Sequence, residues 1–239
     1  LLLVFNFHYN KMILLLETST EICSVALTKE NDIVASRMIS EPNSHSQKLS
    51  LLIQEVMDEA GAKYSELSAV AVSKGPGSYT GLRIGVSTAK GFAYGLDIPL
   101  ISIETLRILE KGAKRKFPES GVVAMIDARR MEVYCEIYDS KGNVIKPLSA
   151  DIIEEGIYDD YLNKEKDFVF VGNGAKKSMP FFSNKLNCRF EEDILLNAEL
   201  MSEMALNKLE NKDFEDIAYF EPYYLKDFVA IESKVKGLR

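Results

Sequence analysis

Apolar residues follow two alternating rhythms along the chain. Short runs at Ile13–Leu16, Ile22–Leu27 and Ile33–Ile39, broken by polar turns, predict three strands. Leu49, Leu52, Ile53, Val56, Met57 and Ala60 then recur at helical spacing, with Ser44 or Ser46 placed to cap the helix and Gly61 to end it. Leu67–Val72 predicts a buried strand, Tyr79–Leu96 a helix, Leu100–Ile103 a strand and Glu104–Lys114 a helix. The order then begins again, with strands at Val122–Ile126, Glu132–Tyr138 and from Val144, a helix within Ile152–Leu162, and a strand at Phe168–Val171. Leu200, Met201, Met204, Ala205 and Leu209 mark a last long helix. The matching strand ends Glu17 and Asp127 lie 110 residues apart, and Val72 and Val171 lie 99 apart. Few letters match, so the repeat is one of architecture. It predicts an α/β protein of two similar lobes, 12–118 and 119–239, behind an upstream extension at 1–11.

Composition narrows the classes. A chain of 239 residues, 46% hydrophobic and 27% charged, fits an ordinary globular core and excludes collagen, a disordered tail and a disulfide scaffold. No apolar stretch approaches the roughly 20 residues of a membrane-spanning helix. The three cysteines, Cys23, Cys135 and Cys188, are far apart, and Cys23 and Cys135 sit inside strand-like runs. They read as free thiols in a reducing cytoplasm. With only His8 and His45, no zinc site is evident. The net charge of −7 argues against a protein that grips nucleic acid alone. That charge is uneven: residues 1–118 carry +1 and residues 119–239 carry −8.

Three features carry candidate chemistry. Gly75-Pro76-Gly77-Ser78-Tyr79-Thr80-Gly81 joins a strand to a helix, where free N–H groups suit an anion or a tight turn serves close packing. It is neither a Walker loop nor a GxGxxG turn. The following helix carries Gly81, Gly85, Gly91 and Gly95, each costing about 1 kcal/mol relative to alanine. On a helical wheel Gly81, Gly85, Thr88 and Gly95 cluster on one side with Phe92, a small-residue stripe that packs either on the protein's own sheet or on another subunit. Glu17 and Asp127 end corresponding strands, either as a pair holding a hydrated Mg²⁺ or as turn-forming acids. Arg129 and Arg130, at a hairpin, meet phosphates or carboxylates, or simply pair with neighbouring acids.

Four segments in register resemble the bacterial TsaB (YeaZ) family. They are Ile13–Thr20, the Gly75–Gly85 run GPGSYTGLRIG, Ile126–Arg129 with Glu132–Tyr134, and Glu221–Leu225. The resemblance spans Met12 to the C-terminal region, with Glu17 where the family often has Asp. It implies the actin, Hsp70 and sugar-kinase (ASKHA) fold, with two ribonuclease-H-like lobes. It also implies a role in making N6-threonylcarbamoyladenosine at position 37 of tRNAs reading ANN codons, as a non-catalytic partner of TsaD and TsaE that dimerises with itself when TsaD is absent. In TsaD two histidines four apart hold the catalytic metal. Aligning that stretch places Thr105 and Leu109 there, so no catalytic residue, metal or cofactor is assigned to this chain. Glu17, Gly75, Gly77, Ser78, Asp127, Gly172 and Gly174 match nucleotide-holding positions in relatives and imply a degenerate site. The first two helices imply the partner interface, through His45, Leu49, Leu52, Gly81, Arg83 and Gly85. On this reading tRNA is met only through the complex, and the acidic second lobe touches little of it. The alternative is a stand-alone ATPase or small-molecule kinase of the same superfamily.

Overall fold

The computed structural model describes residues 11–41 and 44–226. The first lobe is built from β1 (Met12–Glu17), β2 (Ile22–Lys29), β3 (Asp32–Ser40), α1 (His45–Glu59), β4 (Ala69–Gly75), α2 (Tyr79–Leu96), β5 (Leu100–Glu104) and α3 (Thr105–Lys116). The second contains β6 (Gly121–Asp127), β7 (Glu132–Tyr138), β8 (Val144–Ile152), α4 (Asp159–Leu162), β9 (Phe168–Val171), α5 (Ala175–Phe182) and β10 (Cys188–Glu191). A 3₁₀ turn at Ala198–Met201 then leads into α6 (Ser202–Asn211).

The duplication shows directly in the sheets. Their orders are β3-β2-β1-β4-β5 and β8-β7-β6-β9-β10. In each, the first strand pairs antiparallel with the second and parallel with the fourth. This is the ASKHA architecture. Strand alternation divides the apolar residues into layers. Leu14, Leu16, Val70 and Val72 face α1 and α2. Val123, Met125 and Phe170 face Tyr158 and Phe182. The inward residues Ile13, Leu15, Ala69 and Ala71 share one core with Val122, Ala124, Val169 and Val171, through Leu106 and Leu109 of α3 and Leu200, Met201 and Ala205. The lobes are therefore joined by a common apolar layer.

Several expectations change. The helix expected within Ile152–Leu162 shrinks to α4, because β8 runs on to Ile152 and Gly156, at φ +80°, turns the chain first. Ser44 sits at the start of α1, but its hydroxyl donates to the Glu41 carbonyl and caps nothing. The stretch 119–239 builds the second lobe only as far as β10. Beyond it the chain returns to the first lobe, where Ala198 N–H donates to Ser24 Oγ, and Glu215 bonds Leu100 and Ser102 at the β5 edge. Lys11 also belongs to the fold, its carbonyl accepting from Glu30 N–H. The rest of the expected extension, 1–10, lies outside the described residues. Cys23 and Cys135 are free and buried, and burial pushes both thiols up to about 12.

Candidate functional site

The glycine-rich turn sits where three pieces of chain converge. Ser78 N–H donates to the Ser19 carbonyl (2.6 Å), and Gly75 N–H donates to Thr105 Oγ1 (3.1 Å). Ser78 Oγ accepts from Gly81 N–H at 3.3 Å, capping α2. Gly77 is glycine for space, since a Cβ there would lie 2.8 Å from the Ser19 Cβ. On its other side the turn meets the C-terminal segment. Tyr223 N–H donates to the Lys74 carbonyl (2.6 Å), and a Cβ on Gly75 would lie 2.5 Å from the Tyr223 carbonyl oxygen. The Tyr79 and Tyr224 rings stack obliquely, 4.7 Å between centroids. The segment then reaches the second lobe through an ion pair between Lys226 and Glu132.

The second lobe closes its counterpart in the same way. Gly174 N–H donates to the Met125 carbonyl, Ala175 N–H to the Gly172 carbonyl, and Asp127 N–H to Asn173 Oδ1. A cavity of about 30 Å³ lies between Thr20–Ile22, Gly172–Asn173 and Leu195–Leu196, room for water but far below the several hundred Å³ of a nucleotide pocket. The amides of Gly75, Ser78, Gly81, Gly174 and Ala175 are thus engaged by the protein itself.

Glu17 and Asp127 occupy unlike settings. Glu17 is fully buried; its Oε1 accepts from Ser19 N–H (2.7 Å) and Ser19 Oγ (2.5 Å), while Oε2 has no hydrogen-bond partner. Burial pushes its carboxyl above the usual carboxylate range, opposed by Ser19 and by the Ser73 hydroxyl. Asp127 is exposed and pairs with Lys177 at 2.7 Å. Of the two readings of Glu17 and Asp127, turn-forming acids fit these settings: each accepts from the N–H two residues on, and Glu17 is buried inside its lobe. Among the described residues no three His, Cys, Asp or Glu side chains converge as metal ligands. Thr105 and Leu109 are both buried, with the Thr105 hydroxyl held by Gly75.

The residues expected at a partner interface differ in exposure. His45, Leu49 and Leu52 face inward, and the His45 ring contacts the Ile22 carbonyl at 3.1 Å. Gly81 and Gly85 are buried against Thr18: a Cβ on Gly81 would collide with the Thr18 carbonyl oxygen, and one on Gly85 with Thr18 Oγ1. These five are buried within the chain, whereas Arg83 is exposed, stacked over Tyr79. The glycine stripe divides, for Gly91 and Gly95 face open space. Beside them Tyr94 is 82% exposed, and Leu51 on α1 is 50% exposed. Helical periodicity groups residues on a face without saying which surface that face meets, so which of the four helix glycines are exposed was not legible, and Leu51 did not stand out.

Comparison with known proteins follows this geometry. The chain is 32% identical over 223 residues to tRNA threonylcarbamoyladenosine biosynthesis protein TsaB of Escherichia coli (strain K12), covering 91% of this chain and 96% of that protein. The chain belongs to the TsaB family. The family model for TsaD, the tRNA N6-adenosine threonylcarbamoyltransferase, matches residues 39–230, so TsaB and TsaD are visibly related here. YeaZ from Pseudomonas aeruginosa superposes with a TM-score of 0.79 at 28% identity, covering 90% of this chain and all of that one. The activator of 2-hydroxyisocaproyl-CoA dehydratase from Clostridium difficile, with bound ADPNP, shares the fold at TM-score 0.50 and 11% identity, over 86% of this chain and 98% of that one. In this TsaB-family chain no helix among the described residues is long and apolar enough to cross a membrane.

Proposed function

We propose that this chain is a non-catalytic, cytoplasmic partner of the TsaD-type transferase and of TsaE. Together they transfer threonylcarbamoyl to N6 of adenosine 37 in tRNAs reading ANN codons. The observation that carries this reading is that the chain matches the TsaD family model over residues 39–230, while the positions where the resemblance would put the transferase's metal-binding histidines, Thr105 and Leu109, are buried residues without an imidazole. Neither side chain can replace an imidazole, so the chemistry belongs to the partner. The turn amides already bonded within the chain support the same reading over the stand-alone ATPase or kinase, and a degenerate nucleotide site at Glu17, Gly75, Gly77, Ser78, Asp127, Gly172 and Gly174 is part of the proposal.

The partner surface is the open side of α1 and α2. Two exposed glycines in one helix cost about 1 kcal/mol each with no intramolecular contact to offset them. A backbone brought close to a partner's helix recovers that loss, with Tyr94 and Leu51 as apolar anchors. The same surface serves self-pairing when the transferase is absent. A bulky group at Gly85 would disrupt the core, so the informative probe is Gly91→Arg. Mixed with TsaD and analysed by size exclusion, it should fail to form the complex while melting at or above the wild-type temperature. An unchanged complex would remove this surface from the proposal. Transfer activity by the purified chain alone would remove the non-catalytic reading.

A further inference from the structure

The β6–β7 hairpin holds two consecutive arginines in left-handed backbone, Arg129 at φ +71° and Arg130 at φ +49°. Glycine, asparagine or aspartate takes this conformation more readily, and arginine there is strained. The turn persists because it is pinned from inside. Lys177 of α5 donates to Asp127 Oδ1 (2.7 Å), the Arg130 carbonyl (3.0 Å) and the Glu132 carbonyl (2.5 Å). Arg129 N–H also donates to Asp127 Oδ1, and Glu132 N–H closes the turn on the Arg129 carbonyl.

Both nearby acids are neutralised by other cations, Asp127 by Lys177 and Glu132 by Lys226. Neither arginine side chain makes a hydrogen bond or ion pair among the described residues, and Arg129, Arg130 and Met131 are all exposed. Four cations thus stand against two carboxylates at an exposed hairpin, on a lobe that is otherwise acidic. Strain held in place by a half-buried lysine, at residues whose side chains satisfy nothing among the described residues, marks a binding element.

We infer that this hairpin contacts phosphates of an RNA backbone, so that the acidic lobe does touch the tRNA at one point. Two guanidiniums free for bidentate contact match phosphates spaced along a strand. The tip is exposed, which suits an extended polyanion rather than an enclosed small nucleotide. The inference rests on the tRNA-modification reading above.

The test uses the complete complex of this chain with TsaD and TsaE, and an unmodified tRNA transcript. Arg129→Asn with Arg130→Gly removes the charges while easing the backbone. Assembly by size exclusion and the melting temperature should match or exceed wild type. Affinity for the tRNA should fall about tenfold at low salt, and the slope of log K against log salt should shrink by about 1–2. Arg129→Lys with Arg130→Lys should keep most of the slope and lose part of the affinity. Unchanged affinity and slope, in a complex that forms and modifies tRNA, would overturn the inference. So would lost assembly with tRNA binding by TsaD intact, which assigns the arginines to a protein partner. A wild-type complex that neither binds nor modifies tRNA would overturn the reading beneath both.

Discussion

Replacing Gly85 and Gly91 by alanine makes the same chemical change on one helix, with opposite expected signs. Helix propensity favours alanine by about 1 kcal/mol at both positions. At Gly91 nothing lies within reach of the new methyl, so Gly91→Ala should gain about 0.5–1 kcal/mol. At Gly85 the methyl collides with Thr18 Oγ1 and lies 3.3 Å from Thr18 Cβ. Relief requires turning a buried side chain away from its 2.9 Å hydrogen bond to the Gly81 carbonyl. Overpacking of about 1–3 kcal/mol and a lost hydrogen bond of about 1 kcal/mol outweigh the propensity gain. Gly85→Ala should therefore lose about 1–3 kcal/mol, or several degrees in melting temperature. Urea unfolding followed by far-UV circular dichroism or tyrosine fluorescence measures both, since the chain has no tryptophan. Thr18→Ala should be less harmful beside Gly85→Ala than alone. It should not help Gly81→Ala, whose methyl meets the Thr18 backbone carbonyl. Equal stability of the Gly85 and Gly91 variants would refute the packing argument.

Burial raises the Glu17 carboxyl above its unfolded value. Its contribution to stability is thus whole below the unfolded pKa near 4.3 and is lost as pH rises through the folded pKa. Glu17→Gln, which cannot ionise, should gain on wild type from about pH 4 upward; parallel stability curves would contradict this. Lys177→Met should speed amide exchange at Ala128 and Glu132, whose bonds close the hairpin, with little change at β9. Uniform exchange across the lobe would refute the idea of a local staple. Tyr224→Ala should cost about 0.5–1.5 kcal/mol, and a cycle with Tyr79→Ala should show the coupling.

Much of the fold was legible because each lobe repeats strong two- and 3.6-residue patterns. The helix at Tyr79–Leu96 and the strands at Glu132–Tyr138 and Phe168–Val171 appear with their expected bounds. What escaped is short or irregular. β10 has four residues interrupted by Arg189, and α5 carries Pro180 inside it. The site was less legible than the fold. Nothing local in the sequence announces that Tyr223 reaches Lys74, that Thr18 occupies the hollow beside Gly85, or that Glu17 is sealed while Asp127 is not. These are long-range contacts. The unusual residues themselves were visible: the glycine turn, the four helix glycines and the arginine pair.

The return of residues 198–226 to the first lobe bears on how the chain is made. Ile13, Leu15, Ala69 and Ala71 present one side of the first sheet to Leu200, Met201 and Ala205, synthesised more than a hundred residues later. Until those residues leave the ribosome, that side depends on α3 alone for cover. A fragment ending near residue 118 should be adhesive and poorly soluble, while one supplied with 194–226 in trans should be rescued. The first lobe to be translated is the last to be completed.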